Sequence, residues 1–183
     1  MDAFKRKAAT VPWWVLLLLI SAAIAFSRLL QIVGTPLTTD AAPRGIISFE
    51  FAGTPERAEA ILASWDERAQ LHAALSLGLD YLFLLVYSTA IALSCFRAAA
   101  WWKPRRPGLA TIGAWLGWGQ WLAALLDAVE NYALIQLLLG HRAAIWPRLA
   151  WACAAVKFAF VLAGIAYALL SGLYYLGRGR SQG

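Results

Sequence analysis

The stretch Leu109–Leu139, LATIGAWLGWGQWLAALLDAVENYALIQLLL, decides how the chain is read. A helix needs about 20 mostly apolar residues to cross hydrocarbon, and this run exceeds that length with room for tilt. Its Leu, Ala and Val residues do not alternate with polar ones, so its character is helical rather than that of a half-buried strand. Only Asp127 and Glu130 carry charge within it. Working outward, three more runs of comparable length appear at about 11–33, 72–96 and 145–176. The expectation is an all-α integral membrane protein. It forms a single domain over 1–183, a bundle of four transmembrane helices with an extracytoplasmic loop at 34–71.

Composition supports that solvent. The 183 residues are 61% hydrophobic and 14% charged, against roughly half and a quarter in soluble domains. The net charge of +6 does not imply nucleic acid as a partner, because the basic residues flank apolar runs and build no basic face. The partners expected are membrane lipid, a hydrophobic small molecule and further copies of the chain. Only two cysteines and two histidines are present. With no Cys pair at zinc spacing and no histidine pairs for haem, no metal site and no cofactor are expected. Helical rise places Cys95 and Cys153 at different depths, too far apart for a disulfide, so they read as separate packing residues.

The first run could also be a secretory signal, with Lys5, Arg6 and Lys7 ahead of it and Ala23-Ile24-Ala25 as a cleavage site. It continues apolar to Val33, which favours a retained signal-anchor helix. Basic residues then set orientation. One side holds nine: Lys5, Arg6, Lys7, Arg97, Lys103, Arg105, Arg106, Arg178 and Arg180. The other holds five (Arg44, Arg57, Arg68, Arg142 and Arg148), diluted by six acids in the first loop. The richer side is expected to be the cytoplasm of a bacterial-type inner membrane, with both termini inside. Trp13, Trp14, Trp101 and Trp102 would then anchor the inner interface, and Trp146 and Trp65 the outer one.

The loop opens with turn residues Gly34, Pro36, Pro43 and Gly45. Ile46–Phe51 is expected to be extended. Thr54-Pro55-Glu56 reads as a helix start, with a cap hydroxyl, a first-turn proline and an acid at the positive end of the dipole. Ala58, Ile61, Leu62, Trp65, Ala69 and His72 follow at helical spacing on one face. This predicts one amphipathic helix that either lies in the interface or closes the bundle.

Charges within the runs point to a site. A charge at mid-bilayer costs about 2.5–3.5 kcal/mol on insertion scales, so it should face the bundle interior. Counting from the run ends places Arg28, Asp80, Asp127, Glu130 and Lys157 in one layer between the outer interface and the midplane. Helical phase extends this layer. His72, Ser76 and Asp80 share a stripe, and Gln120, Asp127 and Asn131 share another with Glu130 at its edge. Arg28 neighbours Gln31, and Lys157 shares a face with Gly164 and Tyr167. Gly113 and Gly117, a small-xxx-small pair near the inner end, read as helix packing.

Three acids against two bases leave one negative charge, a composition suited to a proton-exchanging pocket. The candidate catalytic residues are therefore Asp80, Asp127 and Glu130. The candidate ligand-binding residues are Arg28, Gln31, His72, Ser76, Gln120, Asn131, Lys157 and Tyr167. The function expected is binding or acid/base processing of a lipid or isoprenoid-like molecule. In that reading Lys157 and Arg28 hold an anionic group and the first loop acts as a lid. Proton- or ion-coupled transport, or a packing network in an accessory subunit, are the alternatives.

Overall fold

The computed structural model describes residues 10–180, with side chains to residue 177. Lys5, Arg6 and Lys7, which carry part of the orientation argument, lie outside the described residues, as do the side chains of Arg178 and Arg180. The described chain is all-helical. Its elements are α1 (Trp13–Val33), a 3-10 turn (Thr35–Leu37), α2 (Ile46–Glu50), α3 (Pro55–Ala63), α4 (Glu67–Trp102), α5 (Pro107–Leu138) and α6 (Ile145–Arg180). Four of these helices, α1, α4, α5 and α6, are long and apolar enough to cross a membrane.

The long helices differ in how they are held. Helix α5 packs along both α4 and α6, while α1 lies against α4. Helix α1 buries none of its residues within the protein. Glycines set the close approaches in the α4–α6 core. A Cβ on Gly113 would stand 2.2 Å from the Tyr167 hydroxyl, and one on Gly117 would stand 2.6 Å from the Phe96 ring. The small-xxx-small pair is thus a packing device, though it accommodates aromatic rings rather than another backbone.

The segment between α1 and α4 folds as a cap over one end of these helices. Phe49, Ile61 and Trp65 pack with Leu134 and Leu137 of α5, Leu77 of α4 and Ala150 of α6 in one buried cluster. The amphipathic helix therefore closes the helix ends.

Three expectations in the cap are corrected. Ile46–Glu50 is helical rather than extended. With no strand beside it in apolar surroundings, a helical turn satisfies the backbone internally. It follows Gly45, whose φ of 57° reverses the chain. The Ser48 hydroxyl also accepts the Arg44 amide at 2.9 Å.

The helix begun at Thr54, whose hydroxyl accepts from the Arg57 amide at 3.3 Å, does not run on to His72. It stops at Ala63. Asp66 then caps a new helix by accepting from the Ala69 amide at 2.7 Å, so the second long helix starts at Glu67 rather than near residue 72.

Trp65, read as an interfacial anchor, is a core residue whose Nε1 donates to the Leu37 carbonyl at 2.9 Å. At the opposite end Trp102 is likewise 6% exposed and donates to Ser171 Oγ at 2.9 Å. Trp13 and Trp14, at 67% and 58% exposed, keep an anchor's exposure.

Candidate functional site

Below the cap, four carboxyl groups and one ammonium meet. Lys157 of α6 donates from Nζ to Asp127 Oδ1 at 2.6 Å and to Glu130 Oε1 at 2.9 Å. Its Nζ is also 2.9 Å from Glu130 Oε2. The spacing of three puts Asp127 and Glu130 on adjoining edges of α5, so one lysine spans both. Tyr87 of α4 donates its hydroxyl to Asp127 Oδ2 at 2.8 Å. Asn131, one turn beyond Asp127, donates its amide to Asp80 Oδ2 at 2.7 Å.

The fourth carboxyl comes from the cap. Glu50 ends α2 and is 8% exposed. Its Oε2 stands 3.9 Å from Lys157 Nζ and accepts no hydrogen bond. Burial pushes this carboxyl above the ordinary carboxylate range, against the pull of the Lys157 ammonium.

The expected layer is therefore largely assembled. Asp80, Asp127, Glu130 and Lys157 converge, with Asn131 and Ser76 beside them. Arg28 does not join the ion pairs. It donates to Gln31 at 3.0 Å, and among the described residues no carboxylate lies within ion-pair reach of it. His72 bonds the Val33 carbonyl through Nδ1 at 2.9 Å, tying α4 to the end of α1. From that tie, helical rise puts Asp80 about 12 Å and Arg28 about 8 Å along the axis, at nearly one level.

Two candidates lie apart. Gln120 donates to the Phe160 carbonyl at 2.8 Å, and a Cβ on Gly164 would meet its Nε2 at 2.4 Å. That glycine makes room for the glutamine rather than for a ligand. Tyr167 donates to the Leu109 carbonyl at 3.0 Å near the far end of α5.

Sequence reasoning missed Glu50 and Tyr87. Tyr87 was within reach, because it continues the Asp80 stripe seven residues on. Glu50 had one signal, an acid set between Phe49 and Phe51.

A cavity of about 1050 Å³ adjoins the cluster. Glu50, Asp80, Asp127 and Lys157 line its polar part, whereas Arg28 and Gln31 line it from α1. Its apolar part runs between α1 and α6, from Ile24 and Phe158 to Ile20 and Leu169. Lys157 to Leu169 spans about 18 Å along α6, the scale of an extended hydrocarbon tail. Among the described residues no group of His, Cys, Asp or Glu is arranged to hold a metal ion; the space between the carboxylates is taken by the lysine.

These features define an all-helical protein with four potential membrane spans and a cavity lined by buried carboxylates. Comparison with known proteins finds no matching family, no matching curated protein and no matching solved structure.

Proposed function

We propose that the chain is a multi-pass protein of a bacterial-type inner membrane, its long helices forming a four-helix transmembrane bundle with the cap on the extracytoplasmic side. Its cavity takes up a lipid or isoprenoid-like amphiphile from the outer leaflet and binds it or acts on it by acid/base chemistry. The observation that carries this is the pairing, in one cavity, of a charged end with a long apolar flank between α1 and α6.

Membrane insertion accounts for the rest of the surface. Leu18, Leu85, Trp115, Leu125 and Leu162 are all 60% or more exposed, and such a surface calls for lipid. The cap is packed into the helix ends, so it serves as a roof and entry is lateral. Asp80 is the strongest candidate for proton exchange, because its carboxylate faces the cavity and its side-chain bond is to an amide rather than to the lysine. A transport path is less well supported. Past the cluster, Gln120 Nε2 is committed to the Leu116 and Phe160 carbonyls while its Oε1 accepts nothing, and Gly164 is packed against the side chain and Ile91.

Native mass spectrometry of the full chain, released from membranes in a neutral detergent, tests the proposal. Co-purifying lipid adducts are expected, and Ile165→Trp, which fills the apolar flank from an exposed position, should remove most of them. Adducts unchanged by Ile165→Trp would place lipid on the outer surface and refute the cavity reading.

A further inference from the structure

Which head group the cavity takes follows from how its one lysine is used. Lys157 was expected to hold an anion, but its ammonium is surrounded by three carboxyls. Two donors are spent on Asp127 and Glu130, and Glu50 stands on its remaining side at 3.9 Å. Two carboxyls of the cavity lining then have no cation in hydrogen-bond contact. Asp80 is held by an amide alone. Glu50 Oε2 is buried and accepts nothing, although the residue is 8% exposed and lines the cavity. A buried carboxylate oxygen without a donor is costly, and a ligand that supplies a charged donor removes that cost.

We propose that the cavity is selective for an amphiphile bearing an ammonium group, which donates to Glu50 and Asp80 while its apolar body lies between α1 and α6. An anionic head placed at Glu50 and Asp80 would face two carboxyls, with the nearest ammonium, that of Lys157, already engaged by acids. Among the described residues no group of His, Cys, Asp or Glu is arranged for a metal ion. This inference rests on the amphiphile-binding reading above.

The ammonium belongs either to an aminophospholipid of the membrane or to a free hydrophobic amine. Arg28 separates the two sources. It lines the same cavity without an ion pair, at nearly the level of Asp80, where a phosphate next to an ammonium would lie.

The test compares head groups on one chain length. Hexadecylamine, hexadecanol and hexadecyl sulfate are titrated against the full-length protein in neutral detergent, with displacement of a bound fluorescent alkyl probe as readout. The amine should bind about tenfold or more tightly than the alcohol or the sulfate, the size of one charge-assisted hydrogen bond. Glu50→Gln with Asp80→Asn should erase that preference, bringing amine binding down to the level of the alcohol in the same variant.

Phosphatidylethanolamine exceeding hexadecylamine, with the excess lost in Arg28→Gln, assigns the ammonium to a membrane lipid. The reverse order, indifferent to Arg28→Gln, assigns it to a free amine. Equal binding of amine, alcohol and sulfate overturns the head-group assignment and leaves the amphiphile reading standing. Binding of none of them overturns both. Should the double variant fail to fold, the head-group comparison on the unaltered protein still decides.

Discussion

At the scale of single residues, the cluster sets groups of equal charge in unequal roles. Lys157 is the common partner of three carboxyls, so Lys157→Met should lower unfolding stability by about 3–5 kcal/mol, the cost of breaking a buried ion pair from one side. Asp127→Asn should cost less, because Glu130 still holds the ammonium. Asp80→Asn should stay within about 1 kcal/mol, its only side-chain partner being the Asn131 amide. Thermal unfolding in detergent reads all three. Equal, mutually rescuing losses at Asp80, Asp127 and Lys157 would mark the cluster as a packing network instead.

Glu50 should show a pH signature. Burial raises its carboxyl above 4.5 in the fold, with Lys157, Asp127 and Glu130 facing it. A group raised in this way contributes stability that is fully present below its unfolded value and is lost as pH rises through the folded one. From about 4.5 upward, the unaltered protein should therefore lose stability relative to Glu50→Gln. A difference between the two that stays flat or grows with pH would contradict the assignment.

At the scale of elements, the cap shows what periodicity can and cannot recover. Ala58, Ile61 and Trp65 do share a buried face, as their spacing indicates. The break between them and Ala69 is not visible in spacing, because Ser64-Trp65-Asp66 keeps the apolar phase while Asp66 restarts the backbone as a cap. Ile46–Glu50 fails differently. Alternation cannot be judged over so short a segment, and its helical state depends on Gly45 and on the absence of a neighbouring strand. Glu50 was missed for the same reason, since a loop acid cannot be placed by counting along apolar runs.

Because Ile61 is wholly buried and Leu62 only half-buried, Ile61→Asp should open the cap to protease while Leu62→Asp has a smaller effect. Similar sensitivity at both sites would return α3 to the interface. In the core, Gly117→Ala should destabilise by about 1–3 kcal/mol, the usual cost of overpacking, because its Cβ would stand 2.6 Å from Phe96.

At the scale of the whole molecule, the long helices were readable because run length and the scarcity of charge suffice to identify them. The site was readable in part. Four of its charged residues sit on regular helices whose depth follows from counting, whereas the isolation of Arg28 depends on α1 packing against α4 rather than across the cluster. The proposed orientation rests on basic residues alone. Reporter fusions after Arg106 should read cytoplasmic and those within 60–70 extracytoplasmic, and the opposite pattern would turn the proposed cavity toward the inner leaflet.

The cluster can only be made in one order. Its four acids, Glu50, Asp80, Asp127 and Glu130, all precede Lys157, the lysine that three of them face. At roughly 5–20 residues per second, Asp127 leaves the ribosome about 1.5–6 s before its cation. During that interval α4 and α5 would sit in or beside a membrane carrying acids with no counter-charge. The nascent chain should therefore dwell at the insertion machinery until α6 arrives, and a chain ended at Gly140 should be degraded quickly in pulse-chase labelling. Quality control of this protein would then come down to the arrival of one late-synthesised side chain.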